Sequence, residues 1–228
     1  MKTSTSDDNQ YPIFCESAST DDTVFKTFKT SSIYNGILEH VSVEEGHQYY
    51  NHFKHNQDIL KIIEKFKVND SIGAPRTYDY NFGKFSPTTL RYISVLSDLS
   101  QLKLDDKDIV EIGAGYGGQY TVLRQYVKPR SYTIIDLPEV IKLQRRYIKL
   151  QKLDDIELNF YSLDDLPELR GDVLKVLNTL FQSVLRKYKI NIFKKFLIIA
   201  REVISYIITL KVIVILILLI YYRIMLRN

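Results

Sequence analysis

A glycine-rich stretch followed by an acid is the part of this sequence best suited to chemistry. Residues 109–119 read Ile-Val-Glu-Ile-Gly-Ala-Gly-Tyr-Gly-Gly-Gln, and Asp136 ends the next apolar run. Glycines let the backbone turn tightly and approach a ligand, and a carboxylate at the end of the neighbouring strand can accept both hydroxyls of a ribose. The layout therefore predicts a nucleotide-binding βαβ unit.

The glycine spacing fits two cofactor classes. Gly113, Gly115 and Gly118 match the G-x-G-x-x-G of NAD enzymes, which leaves an NAD-dependent oxidoreductase open. Glu111 adds an acid two residues before the first glycine, the acid-x-Gly-x-Gly-x-Gly pattern of S-adenosylmethionine-dependent methyltransferases. A helical region before the first strand is also more usual in those methyltransferases. S-adenosyl-L-methionine is therefore the favoured cofactor.

Regular elements are predicted on both sides of this turn. A Ser-x-x-Glu capping box at Ser42 opens an amphipathic helix or a broken pair that extends to Lys67. Ser86 and Pro87 start a second helix with an apolar stripe. The later pattern predicts strands at 108–113, 131–135 and 156–161, with helices at 118–126 and 140–152.

Four blocks of the chain carry a resemblance to a known family. They are residues 73–75, 86–92, 110–119 and 135–140. Taken together, these blocks resemble the sugar O-methyltransferase family over about residues 71–168. The resemblance implies an α/β, Rossmann-like class I methyltransferase fold with an N-terminal helical extension. It also implies S-adenosylmethionine-dependent O-methyl transfer to a saccharide or another small-molecule acceptor.

The resemblance also assigns the cofactor contacts. The glycine turn would hold the methionine moiety, Asp136 the ribose hydroxyls, and Glu111 the turn or the cofactor amine, while Leu163 and Asp164 would lie beside the adenine. The full set is Glu111, Gly113, Ala114, Gly115, Tyr116, Gly117, Asp136, Leu137, Leu163 and Asp164. No residue is identified as the catalytic base.

A second group of residues lies before the glycine turn. Arg76, Ser86, Thr88 and Arg91 are candidates for a cofactor or substrate loop. Arg76, Lys84 and Arg91 are either cations that meet an anionic ligand or solvated surface charges around an ordinary helix start. All four histidines lie between residues 40 and 55 with no cysteine or carboxylate cluster beside them, so no metal site is predicted.

Composition narrows the location and the partners. A single cysteine and a polar N-terminus indicate a cytoplasmic protein, and residues 1–40 are predicted to be mostly disordered. Residues 171–228 hold ten Lys and Arg residues against two Asp and Glu residues, whereas the rest of the chain holds 21 against 25. Because the positive charge belongs to this tail, no nucleic-acid partner is predicted.

The last part of the sequence departs from the family. The prediction has a helical region at 41–100 and the cofactor-binding half at 104–168. The segment that follows, residues 171–228, is apolar and basic and has neither Gly nor Pro after residue 171. The sheet is therefore predicted to be incomplete after its third strand. The tail is either read from a shifted frame or is a membrane helix over 203–222, which would anchor the chain. A non-catalytic, cofactor-binding fragment is the corresponding alternative function.

Overall fold

The first part of the fold is helical. The structure is a computed structural model and describes residues 10–102, 104–162, 164–167 and 173–177. Helix α1 spans Gln10–Thr20, α2 spans Asp22–Thr27 and α3 spans Ser32–Asn35, with a 3₁₀ turn at Phe28–Thr30 between the last two. The prediction that residues 1–40 are mostly disordered is therefore wrong from residue 10 onward.

A short apolar stripe explains why this polar segment folds. Tyr11, Cys15 and Ala18 are four and then three residues apart, and all three are buried on one face of α1. Phe28 and Tyr34 follow, each completely buried. Three apolar residues in a helical period are too few to stand out against the surrounding Ser, Thr and Asp residues.

The next region is a broken helix, which was one of the two alternatives predicted for the segment from Ser42 to Lys67. Helix α4 spans Val43–Phe53, α5 spans Gln57–Lys61, and a 3₁₀ helix covers Ile63–Asp70. The capping box is confirmed: Glu45 N–H donates to Ser42 Oγ at 3.1 Å, and Ser42 N–H donates to Glu45 Oε2 at 2.8 Å. Asn56 caps the start of α5, which is why the helix does not continue through it.

A small hairpin precedes the second long helix. Strands β1, Tyr78–Tyr80, and β2, Gly83–Phe85, pair antiparallel. Helix α6 spans Pro87–Leu99, with Ser86 as its N-cap and Pro at its first position, as predicted. Its stripe of Leu90, Ile93 and Leu96 is fully buried.

A parallel sheet forms the second half of the described chain. Its elements are β3 (Asp108–Ile112), α7 (Gly118–Arg124), β4 (Ser131–Ile135), α8 (Pro138–Leu150), β5 (Glu157–Tyr161) and β6 (Val173–Leu177). The strand order is β5-β4-β3-β6, and each neighbouring pair is parallel. Every residue of β4 is buried, as a parallel strand covered on both faces requires. The predicted mixed α/β class is confirmed.

Strand β6 corrects the prediction of a sheet that stops at its third strand. It lies inside the segment 171–228 and pairs with β3 from Asp108↔Val173 to Ile112↔Leu177. The sequence Val-Leu-Lys-Val-Leu has the composition of a strand, but an apolar stretch with neither Gly nor Pro follows it in the sequence, so no turn residue marks its end. Residues 178–228, including the stretch 203–222, lie outside the described residues. Within the described ranges, no helix has the length and apolar character needed to cross a bilayer.

Aromatic rings join the helical N-terminal part of the chain, residues 10–102 (the helical preface), to the half that contains the parallel sheet. The ring centroid of Phe28 lies 5.6 Å from that of Tyr116 in the glycine turn and 6.2 Å from that of Tyr147 on α8. The described residues all fall within one compact unit. The preface therefore packs directly against the candidate site.

Candidate functional site

The glycine turn connects β3 to α7 at the carboxyl end of the sheet. Gly113, Gly115 and Gly117 have φ angles of 72°, 60° and 91°, a region that residues with a Cβ rarely adopt. Gly113 N–H donates to Ile135 O at 2.9 Å, which ties the turn to the end of β4. Ala114 and Tyr116, between the glycines, are buried. The sequence prediction of a sharp turn that needs glycine is confirmed.

Asp136 follows β4 and bonds to the turn. Its Oδ1 accepts from Leu137 N–H at 2.9 Å, and the backbone N–H groups of Ala114 and Gly115 also bond to the carboxylate. Burial raises the pKa of Asp136 to about 7, against these hydrogen bonds, which lower it. The carboxylate is therefore placed beside the glycines as predicted, with the protein's own donors around it.

Gln144 is a site residue that the sequence analysis missed. From the buried face of α8, its Nε2 donates to Asp136 Oδ2 and to Gly115 O, both at 2.8 Å. Because both neighbours are acceptors, the amide orientation is fixed, and its buried Oε1 has no hydrogen-bond partner among the described residues. The available signal was a glutamine among the buried positions Val140, Leu143 and Tyr147 of an amphipathic helix.

Glu111 is completely buried in β3 and bonds within the sheet. Its Oε2 accepts from the hydroxyl of Tyr132 on β4 at 2.7 Å. The pKa of Tyr132 is raised well above its ordinary value by burial and then by the Glu111 charge. This contact stabilises the pairing of the two strands that carry the turn and Asp136.

The N-terminal segment covers the open side of the turn. A Cβ added at Gly115 would lie 2.4 Å from Leu38 Cδ1, so the Leu38 side chain fills the space in front of this glycine. Tyr11 and Cys15 of α1 lie near Asp136, whose charge helps to raise the pKa of both groups after burial, the main cause for each. The sequence analysis assigned none of these three residues to the site.

Of the four loop candidates, Thr88, Arg91 and Arg76 lie at or next to the segment that contains Leu38, and Ser86 bonds elsewhere. Thr88 Oγ1 and Arg91 Nη2 each donate to Leu38 O at 3.4 Å, a long hydrogen bond. Arg76 lines a cavity next to this segment. Ser86 instead bonds to Asp70 through both its N–H, at 2.8 Å, and its Oγ, at 2.7 Å, so its role is to anchor the start of α6.

That cavity has a volume of about 110 Å³ and polar walls. Lys29, Glu39 and Arg76 are its charged residues, and His40 and Tyr78 also line it. Burial lowers the pKa of the Lys29 ammonium to about 8, and burial raises the pKa of the Glu39 carboxyl. Glu39 follows Leu38, so the cavity lies next to the residue that contacts the glycine turn.

The remaining predicted cofactor residues are Leu137, Leu163 and Asp164. Leu137 precedes α8 and is half-buried, whereas Asp164 is exposed. Leu163 lies outside the described residues. Across the described part of the chain, no group of three or more His, Cys, Asp or Glu side chains could hold a metal ion.

Comparison with known proteins gives no family for the chain. No protein-family model matches it, and no curated protein is significantly similar to it.

Proposed function

We propose that this chain binds S-adenosylmethionine at the glycine turn and is an O-methyltransferase, with a saccharide as the expected acceptor. One observation carries the proposal. Three glycines with positive φ follow β3, and an acid at the end of the adjacent parallel strand β4 accepts hydrogen bonds from the backbone amides of Ala114 and Gly115 in this turn. In open α/β sheets, ligands bind in the crevice outside the carboxyl ends of the strands, where these residues meet.

Two features of the chain fit this cofactor: the backbone of the glycine turn and the carboxylate of Asp136. Gly113, Gly115 and Gly117 carry no Cβ, which would let the backbone of the turn approach the methionine moiety, and Asp136 would hold the ribose hydroxyls beside Leu137. The bound cofactor would supply a methyl group on a sulfonium for in-line displacement by a hydroxyl. Leu38 occupies the face of Gly115, so binding requires this side chain to move aside.

The protein's own residues would provide position rather than a chemical step. Gln144 holds the Asp136 carboxylate against Gly115, which fixes the acid relative to the turn before any ligand arrives. The buried rings of Tyr116 and Phe28 exclude water from the other side of the turn. Positioning and water exclusion are the main sources of rate in a displacement of this kind.

A second candidate is a non-catalytic cofactor-binding protein. The observation that favours it is that Leu137, Gln144 and the turn amides already supply donors to the Asp136 carboxylate. A ribose would have to replace some of these hydrogen bonds. An NAD-dependent oxidoreductase is less well supported, because α7 is only seven residues long and offers a weak dipole to a pyrophosphate.

The test is a calorimetric titration of the full-length chain with S-adenosylhomocysteine and with NADH. We expect saturable binding of S-adenosylhomocysteine, weakened at least about tenfold, or 1.4 kcal/mol, by Asp136→Asn. Tighter binding of NADH would favour the oxidoreductase. Methyl transfer from S-adenosylmethionine to any member of a saccharide panel would exclude the non-catalytic candidate.

A variant pair separates site effects from folding effects. Gly115→Val places a side chain at φ 60° and against Leu38, whereas Gly36→Ala has an ordinary backbone and its nearest neighbour atom lies 3.4 Å from the added Cβ. We expect the first to abolish S-adenosylhomocysteine binding and the second to leave it unchanged. Circular dichroism spectra of both variants check that they remain folded.

A further inference from the structure

The cavity lined by Lys29, Glu39 and Arg76 contains groups that the proposed cofactor site does not use. Glu39 Oε1 is buried and has no hydrogen-bond partner among the described residues, although the carboxyl group also bonds to the Thr88 side chain. A buried acceptor without a partner loses its hydrogen bonds to water and gains none in exchange, which destabilises the folded chain. A ligand that donates a hydrogen bond to this oxygen would offset that loss.

A cation in the same cavity is also unpaired. Arg76 is exposed and forms no ion pair with any residue in the described part of the chain, and it does not bond to Glu39. Lys29 adds a second positive charge from the cavity wall. It is completely buried, with Nζ donating to Asn69 O and to the Tyr147 hydroxyl. The cavity therefore presents an unpaired acceptor and an unpaired cation that do not satisfy each other.

A ligand that bridges these two groups needs an anionic end and a hydrogen-bond donor. Its anion would meet the Arg76 guanidinium, which binds carboxylates through two donors at once. Its donor would meet Glu39 Oε1. A hydroxyl fits this place better than an ammonium group, because Lys29 and Arg91 lie close enough to affect the Glu39 carboxyl and would repel a second positive charge.

We propose that this cavity binds a small α-hydroxy acid, or the α-hydroxy acid end of a larger molecule, with the carboxylate on Arg76 and the hydroxyl on Glu39. The volume suits this class, since a cavity of about 150 Å³ holds benzene, which is larger than glycolate. The binding of this molecule does not depend on the proposed function. Only its role as the acceptor of the methyl group rests on that proposal. Glu39, which lines the cavity, directly follows Leu38, whose side chain contacts Gly115 in the glycine turn.

The test is a set of separate titrations of the 228-residue chain with glycolate, acetate and glycine, in which NMR spectra monitor the binding. Glycolate carries both groups, acetate lacks the hydroxyl, and glycine replaces the hydroxyl with an ammonium group. A ligand of this size is expected to bind in about the millimolar range. We expect saturable glycolate binding, at least about tenfold tighter than that of acetate or glycine.

Variants locate the binding. Arg76→Gln and Glu39→Leu should each weaken glycolate binding at least about fivefold, since each removes one end of the bridge. Glu39→Gln, which keeps an acceptor oxygen, should retain more affinity than Glu39→Leu. Lys84→Gln, an exposed cation in the nearby hairpin that does not line the cavity, should bind as the unchanged chain does.

Several results would overturn the proposal. They are the absence of saturable glycolate binding, equal binding of acetate, tighter binding of glycine, and full binding by both Arg76→Gln and Glu39→Leu. The same samples are titrated with S-adenosylhomocysteine. Binding of S-adenosylhomocysteine without glycolate overturns this inference alone. If the chain binds glycolate but does not bind S-adenosylhomocysteine, the cavity assignment is supported and the proposed methyltransferase function is rejected.

Discussion

At Gly118 the backbone passes so close to two tyrosines that a side chain has no room. A Cβ at this position would lie 2.3 Å from Tyr92 Cε2 and 2.8 Å from Tyr116 Cε2. Both rings are completely buried, so neither can move into solvent. The last glycine of the motif is therefore required by the packing of α7 against α6, whatever ligand the turn binds.

Replacement of this glycine tests the packing directly. We expect Gly118→Ala to lower the free energy of unfolding by about 1–3 kcal/mol, because the methyl group overpacks the core. The matched control is Gly36→Ala, which has room for the methyl group and should change stability by less than about 1 kcal/mol. Urea unfolding measures both. Equal effects of the two changes would contradict the steric account.

Asp136 should give the protein a characteristic pH dependence. Its pKa is about 7 in the folded chain and about 3.9 when unfolded, so the folded state binds more protons between these values. The Asp136 contribution therefore makes stability fall as pH rises from about 4 to 7, by up to about 1.4 kcal/mol per pH unit, and the contribution is constant above that. Carbon NMR of the labelled carboxyl gives its pKa. A pKa near 4 in the folded chain would contradict the prediction.

Among the helices, α8 holds the N-terminal segment in place. Arg146 donates to Asp22 and to Ala18 O, and its guanidinium lies 4.1 Å from the centroid of the Phe25 ring. Lys142 pairs with Glu16 at 2.6 Å, but both side chains are well exposed. Arg146 and Lys142 thus carry the same charge on α8 but differ in packing.

We expect Arg146→Ala to loosen this segment more than Lys142→Ala does. The arginine loses an ion pair and a cation–π contact, together about 1–2 kcal/mol, whereas an exposed pair contributes about 0–1 kcal/mol. Hydrogen exchange of the amides in α1 and α2 should be fastest in Arg146→Ala. Lys61→Ala, which breaks an exposed pair within α5, is the control and should leave that exchange unchanged. The same rate in all three variants would contradict the assignment.

Strand β6 can be tested through its backbone alone. Adjacent residues of a strand direct their N–H groups to opposite sides, so Lys175→Pro with Val176→Pro removes a donor towards β3 whichever residue supplies it. We expect this double variant to lose about 3 kcal/mol or more of stability. The control, Lys175→Ala with Val176→Ala, keeps both N–H groups. Equal stability of the proline and alanine double variants in urea unfolding would contradict the pairing of β6 with β3.

Elements with local signals were predictable from the sequence, and long-range contacts were not. Strand β4 has the predicted bounds, and Ser86 and Pro87 marked the start of α6, because caps and unbroken apolar runs act over a few residues. Leu38 and Gln144 reach the turn from 77 residues before Gly115 and 29 residues after it. No local pattern encodes such distances, which is why these contacts were missed.

For the whole described unit, we expect a single unfolding transition. The rings of Phe28, Tyr34, Tyr116 and Tyr147 form one cluster across the helical preface and the sheet half. Neither half can expose its share of the cluster without disrupting the other, so both should unfold together. In a urea series followed by hydrogen exchange, α1 and β3 should lose protection at one urea concentration. Two well-separated midpoints would show that the preface folds alone.

The position of Lys29 also has a consequence for protein synthesis. Its ammonium bonds to the Tyr147 hydroxyl 118 residues later, and Glu16 meets Lys142 126 residues later. A ribosome adds about 5–20 residues per second, so the nascent N-terminal segment waits on the order of ten seconds for the partners that bury it. Throughout that interval its apolar face is exposed to other chains and to chaperones. This segment is thus synthesised well before the residues that fix it in place.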